Sequence, residues 1–255
     1  MEPDIPDDHI LFHVEGPIAR LTLNDPDRAN VLSTPMMAAL AGAIARANDD
    51  ADVRVIVLGA AGKVFCAGHD LGELRASDEA ADHDALFERC SSLMMAIGAC
   101  RAPVIARVQG AAVAAGCQLV ASCDLAYAAD TARFAVSGVN LGLFCSTPGV
   151  AVGRAMGRKA ATEMLLTGRF IDAAHAVSLG LINQAVPTAD LERVVGEAAQ
   201  LIADKPPEAI ALGKATFRRQ MEASLGDAYA IAGRAMTENL GFPSARAGID
   251  RFLKR

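Results

Sequence analysis

Of the five histidines in this sequence, only His69 lies in a segment suited to chemistry; His9, His13, His83 and His175 do not. It sits in Gly62-Lys-Val-Phe-Cys-Ala-Gly-His-Asp-Leu71, directly after an apolar, β-branched run. A second segment, Val108-Gln-Gly-Ala-Ala-Val-Ala-Ala-Gly-Cys-Gln-Leu119, also follows such a run. Each reads as a strand end, a turn of small residues and the start of a helix. Small residues let a ligand approach the backbone. Unpaired N–H groups at a helix start point outward and carry positive potential. Two such turns side by side would hold one anionic oxygen between two N–H donors, which is an oxyanion hole. The same spacing also fits two tight turns that pack small residues against neighbouring strands.

Other chemistries lack their motifs. Gly110 to Gly116 has the wrong spacing for a GxGxxG dinucleotide loop, and Gly142 to Gly149 holds no Lys for a P-loop. Neither GxSxG nor HExxH occurs. The six cysteines, Cys66, Cys90, Cys100, Cys117, Cys123 and Cys145, form no CxxC pair and read as reduced, buried thiols. No metal site is expected. The 24 Lys+Arg against 30 Asp+Glu give a net charge of −6, without Trp and with two Tyr, which argues against a nucleic-acid binder. The acidic opening, MEPDIPDDHI, has no apolar core of a targeting peptide, and no uninterrupted apolar run reaches membrane length. The expectation is a soluble cytoplasmic protein without membrane insertion.

The elements that must position the two turns follow from patterning. A chain of 255 residues is ample for one large α/β domain. Residues 9–14 and 18–23 read as a hairpin around Gly16-Pro17. Thr34-Pro35 reads as a helix start, with Thr34 as cap and the helix running to about residue 48. Residues 53–58, 104–108 and 125–129 read as strands buried on both faces. Residues 59–72 read as a Gly-rich loop, 82–100 and 111–122 as helices and 132–136 as a strand. Thr147-Pro148 repeats the helix start. Helices are expected over 159–166, 172–179, 191–203 and 207–240, with a short strand at 182–186. That order predicts an α/β domain of parallel strands followed by a helical part. Lys205-Pro206-Pro207 is the best local hinge.

Five stretches, in order, are similar to the enoyl-CoA hydratase/isomerase (crotonase) superfamily. Phe65-Cys-Ala-Gly-His-Asp-Leu71 resembles its first oxyanion segment. The 108–119 segment, followed by Ala121-Ser-Cys-Asp-Leu125, resembles its second. Asn24-Asp-Pro-Asp-Arg-Ala-Asn-Val-Leu-Ser33 looks like its early acyl-CoA loop. Ala161-Thr-Glu-Met-Leu-Leu-Thr-Gly168 and Gly180-Leu-Ile-Asn183 with Val186-Pro187 look like its later signatures. Gly116-Cys-Gln-Leu-Val-Ala-Ser-Cys-Asp124 and Gly138-Val-Asn-Leu-Gly-Leu-Phe-Cys-Ser-Thr-Pro-Gly149 narrow the likeness to one subgroup.

The resemblance implies a crotonase-like spiral of ββα units over residues 1–190 and a helical trimerisation region over 191–255. It implies a homotrimer or a dimer of trimers. It implies an acyl-CoA thioester as ligand, with coenzyme A arriving as part of the substrate and no separate cofactor. The backbone N–H groups of Cys66 and Ala115 would bind the thioester oxygen. Arg28, Val64 and Ala67 would contact coenzyme A, as would the C-terminal pair Phe252 and Lys254.

The sequence departs from the family where its hydratases place two carboxylates over the substrate. Those positions hold Gln118 and Gly138. Gln can orient a water but cannot take its proton, and general acid–base catalysis contributes about 10²–10⁴-fold. Slow hydration is therefore expected, and a Gln118→Glu, Gly138→Glu double variant is expected to raise it. His69, Asp70, Glu73 and Asp124 are substitute acid–base candidates, while Cys145 reads as pocket lining. Three functions stay open: an acyl-CoA enzyme, including one for a base-independent reaction such as decarboxylation; an acyl-CoA-binding or regulatory protein; or an assembly subunit.

Overall fold

The computed structural model describes residues 9–254. Most of the acidic opening stretch, residues 1–8, therefore lies outside them, as does residue 255. The hairpin forms as β1 (Ile10–Glu15) and β2 (Ile18–Leu23), antiparallel to each other. Helix α1 (Thr34–Asp49) follows. Its cap is Ser33, not Thr34: the Ser33 side chain accepts from the Met36 N–H at 3.3 Å, and Thr34-Pro35 already form the first turn.

From there the chain alternates between two sheets. Strand β3 (Val55–Ala60), all six residues buried, is followed by the short β4 (Val64–Cys66) and helices α2 (Leu71–Ala76) and α3 (Ala80–Ala99). Strand β5 (Val104–Val108) is followed by β6 (Ala111–Val113) and α4 (Ala115–Ser122). Strand β7 (Leu125–Ala129) is followed by β8 (Arg133–Ala135), a 3-10 turn at Ser137–Leu141, α5 (Ser146–Ala155) and α6 (Arg158–Thr167). Next come β9 (Ile171–Asp172), α7 (Ala173–Leu179) and β10 (Gln184–Val186). The larger sheet runs β1-β2-β3-β5-β7-β10 and is parallel from β2 onward. The smaller runs β4-β6-β8-β9. Each turn of this ββα spiral thus places one strand in each sheet. The loop expected at 59–72 contains β4 and the start of α2. The helix expected at 111–122 is divided between β6 and α4.

Helix α8 (Leu191–Ala203) packs on the larger sheet: its Leu191, Val195, Ala199 and Ala203 are buried against Ile18, Val55, Val57 and Ile105. The break in packing accordingly falls at the Pro206-Pro207 hinge and not at 190. Beyond it, α9 (Pro207–Met221), α10 (Leu225–Leu240) and α11 (Pro243–Leu253) bury no residue in the single chain. The one long helix expected over 207–240 is interrupted because the Ser224 side chain caps α10 at the Asp227 N–H. Lys214 ties α9 to the spiral. Its ammonium donates to the Asp124 carboxylate at 2.6 Å and to the Ile97 and Ala102 carbonyls.

Candidate active site

The two turns singled out by spacing come together, with glycine at their points of contact. A Cβ on Gly116, in α4, would lie 2.2 Å from the Cys66 carbonyl oxygen. A Cβ on Gly68 would lie 3.3 Å from the Ala115 nitrogen, and Gly68 has φ +98°. Gly116 has no room for a side chain, and at Gly68 the positive φ and tight contacts favour glycine.

The N–H groups of this junction divide by partner. Ala67 donates to the Ala29 carbonyl at 3.0 Å, and the Gly68 carbonyl accepts from the Leu32 N–H at 2.7 Å. Cys66 itself closes β4, in register with Ala112 of β6. By contrast, His69 and Ala115 make no backbone hydrogen bond through their N–H groups. Ala115 opens α4, where the first N–H groups have no helical partner. Ala114 precedes it at φ 50°, ψ −115° and is pinned by its own N–H to the Ala135 carbonyl at 2.8 Å. A non-glycine residue held in that region stores about 1–3 kcal/mol of strain.

The loop at 24–33 is joined to this junction by Asn30, whose importance the sequence did not announce. Its buried side chain accepts from the Asp25 N–H and donates to the Ala61 and Val64 carbonyls. Its φ of 52° suits Asn, which tolerates the left-handed region. Arg28, half-exposed at the edge of this loop, pairs with Asp70 and lies 3.7 Å from Asp25. Arg28, Val64 and Ala67 therefore share one side of the site. Phe252 and Lys254 do not reach it: Phe252 is 74% exposed at the end of α11, and α11 packs against α10.

Around the positions that could hold acid–base groups, the carboxylates are committed elsewhere. Glu73 accepts the Thr34 N–H at 2.9 Å and the Thr34 hydroxyl at 2.9 Å, latching α2 to α1. Asp70 caps α2 at the Gly72 N–H and pairs with Arg28. Asp124 accepts from the Val104 N–H at 2.7 Å and from Lys214. These three are structural latches, which corrects their candidacy as substitute acids or bases.

Gln118 is buried, with its Oε1 4.0 Å from the Cys90 sulfur. Gly138 lies in the 3-10 turn, where a Cβ would meet the Leu143 carbonyl oxygen at 2.3 Å and the Cys145 sulfur at 2.8 Å. Leu143 N–H closes this turn on the Gly138 carbonyl at 3.0 Å, and Gly138 N–H donates to Cys145 at 3.3 Å. A Glu at position 138 would start its path against the Leu143 backbone, which tells against the expectation that it restores hydration.

Burial raises the thiols, and so keeps them protonated. Cys66 and Cys117 are each pushed up to about 12, and Cys90 to about 11. Burial also raises Cys145, partly offset by the Gly138 N–H, so no thiolate nucleophile forms there. Burial pushes His69 the other way, below its usual value, against the opposing influence of the Leu32 backbone and Glu73. No group of three or more His, Cys, Asp or Glu residues suited to a metal occurs among the described residues. A separate cleft of about 280 Å³ on the α8 side of the larger sheet is lined by Arg20, Arg107 and Glu192. There Glu192 binds both arginines, at 2.6 and 2.7 Å, away from the turn junction.

Comparison with known proteins gives this geometry a context. A family model described as enoyl-CoA hydratase/isomerase matches residues 13–255. The Xenopus laevis protein named enoyl-CoA hydratase domain-containing protein 3, mitochondrial, is 46% identical over 94% of this chain and 82% of its own. The human protein of that name is 45% identical over 93% of this chain and 78% of its own. A crystal structure of the human protein superposes with a TM-score of 0.94 at 43% identity, covering 96% of this chain and 97% of that one. An enoyl-CoA hydratase structure from Mycobacterium smegmatis superposes with a TM-score of 0.95 at 51% identity, covering 96% of each chain. The named relatives are the subgroup that the stretches at 116–124 and 138–149 resemble. Those relatives are named as mitochondrial, which lends no support to a cytoplasmic location. No described helix is long and apolar enough to cross a membrane.

Proposed function

The chain belongs to the enoyl-CoA hydratase/isomerase family, and we propose that it binds an acyl-CoA thioester and stabilises the enolate form of that thioester. The carrying observation is the glycine-mediated junction of the two turns, with Ala115 held by a strained Ala114. In this reading the thioester oxygen accepts from the N–H groups of Ala115 and His69. His69 takes the place expected of Cys66, because Cys66 lies in the strand ladder while the His69 N–H has no backbone partner. Such donors gain strength in a water-poor site, and one donor is worth about 3–4 kcal/mol in other enzymes. Arg28, Val64 and Ala67 border the coenzyme A side.

Phe252 and Lys254 then serve a neighbouring subunit's site. A homotrimer, or a dimer of trimers, would cover the exposed Phe217, Met221, Leu225, Tyr229 and Met236 on α9 and α10. Coenzyme A enters and leaves with the substrate, so no resident cofactor is required.

With Gln118 and Gly138 in place of two carboxylates, standard hydration is slow and enolate chemistry is the better fit. The binding-or-regulatory reading shares the same pocket and is favoured only if turnover is absent. Calorimetric titration with acetyl-CoA and longer thioesters tests both. Saturable binding is expected, and no heat of binding at millimolar ligand would remove both readings.

A further inference from the structure

We propose that the His69 imidazole is the catalytic residue that moves a proton at the α carbon of the bound thioester. It would do so in place of the carboxylates that Gln118 and Gly138 do not supply. The inference rests on the acyl-CoA reading above and assigns it an acid–base group.

Both ring nitrogens of His69 are buried and unpartnered. Leu32's backbone comes near enough to favour the charged ring, but the geometry falls short of a hydrogen bond. A buried polar group left in this state calls for an explanation, and a ligand group is one. The ring does not turn away from the fold: it stands edge-on to Phe87, with centroids 5.7 Å apart at 77°. Phe87 and Cys90 lie three residues apart on one face of α3, and Cys90 meets Gln118 across that face. Gln118 stands one helical turn beyond Ala115, whose nitrogen abuts Gly68, the neighbour of His69. These contacts close a circuit, His69–Phe87–Cys90–Gln118–Ala115–Gly68. Its polar members are an imidazole, an amide and the donor N–H. The residue that would bind the thioester oxygen through its backbone thus also carries an unpartnered imidazole within this circuit.

The groups around the ring leave it as the base. Glu73 on α2 is latched to Thr34, Asp70 is paired with Arg28, and the thiols of Cys66 on β4 and Cys90 on α3 stay protonated. Neutral imidazole accepts the α proton through a ring nitrogen. The C–H electron pair moves into the thioester, forming an enolate whose oxygen accepts from Ala115 and His69 N–H. The imidazolium returns a proton, or a deuteron after exchange with solvent, and the thioester is restored. No oxidant or second reactant takes part.

The test is α-proton exchange of butyryl-CoA in D2O, followed by NMR, with butyryl-CoA affinity measured calorimetrically on the same samples. The unmodified protein is expected to exchange well above the buffer rate, level above pH 6.5 and falling below it as the ring protonates. His69→Gln is expected to keep its affinity and lose about 10²-fold or more of the exchange rate. Retained exchange in a His69→Gln protein that binds overturns the inference. So does an unmodified protein that binds butyryl-CoA without exchanging it, which leaves the acyl-CoA reading standing. Absence of binding removes that reading and this inference together. Should His69→Gln fail to fold, the His69 ring-proton resonances of the unmodified protein decide: they are expected to shift on adding butyryl-CoA, and unmoved resonances overturn the inference.

Discussion

The wall that carries Gly68 and Ala115 and the wall that carries Gln118 and Gly138 are written in similar small-residue text, yet they differ in what they leave free. On the first, the two backbones come together so closely that Gly116 admits no Cβ, and the N–H groups of His69 and Ala115 stay free of backbone partners. On the second, the room gained by a glycine is filled at once by the Leu143 carbonyl and the Cys145 sulfur. On both walls the missing side chain makes room for the protein's own backbone, and only the first leaves two N–H groups without backbone partners. The carboxylates nearby do not compensate, because Glu73, Asp70 and Asp124 each hold two elements together. The contrast is therefore between two N–H groups without backbone partners and carboxylates that are already engaged.

The sharpest way to break this contrast is to crowd the first wall. Gly116→Ala puts a methyl 2.2 Å from a backbone carbonyl, which forces main-chain movement. It is expected to lower stability by about 3 kcal/mol or more, read as a fall in the denaturant midpoint. On the second wall the collision is also with backbone, but the turn at 142–145 is open to solvent at Leu143 and Phe144 and can give. Gly138→Ala is expected to cost about 1–3 kcal/mol. The Gln118→Glu, Gly138→Glu double variant is expected to gain no hydratase activity, and a clear gain would show that this wall keeps the older geometry.

Relieving strain tests the first wall from the other side. Ala114→Gly removes the Cβ from a positive φ and is expected to raise stability by about 1 kcal/mol, or roughly 2–4 °C in Tm. A lowered Tm would mean that Ala114 is not strained. The smallest effect concerns the thiols along both walls. Cys66 and Cys117 rise from 9.0 to about 12 on folding. A raised acid contributes stability that is present below pH 9 and lost as pH climbs toward 12, because the unfolded chain ionises first. Stability should thus be insensitive to thiol ionisation up to about pH 8 and fall above pH 9. Native protein should also resist alkylation at these thiols at pH 8.

Much of the fold is legible where the apolar pattern is strong. Strands at 104–108 and 125–129 and the helix at 191–203 stand where patterning puts them. Residues 111–122 read as one helix because Ala, Gly and Cys carry little periodic signal. The change from strand to helix is made by a single strained residue, Ala114, which only the backbone reveals. Strands β4 and β9 are too short to show a period of two, and α11 has no buried stripe to mark it. In the site, the meeting of the two turns could be read from residue types and spacing. The unpartnered N–H of His69, the packing of its ring on Phe87 and the hub role of Asn30 could not, because each depends on which neighbour the fold supplies.

The most direct test of the central claim is crotonyl-CoA hydration, followed as loss of the conjugated-enone absorbance, on protein already shown to bind butyryl-CoA. Binding is expected together with hydration at least about 10²-fold slower than that of a two-carboxylate family member. Hydration at a comparable rate would contradict that claim.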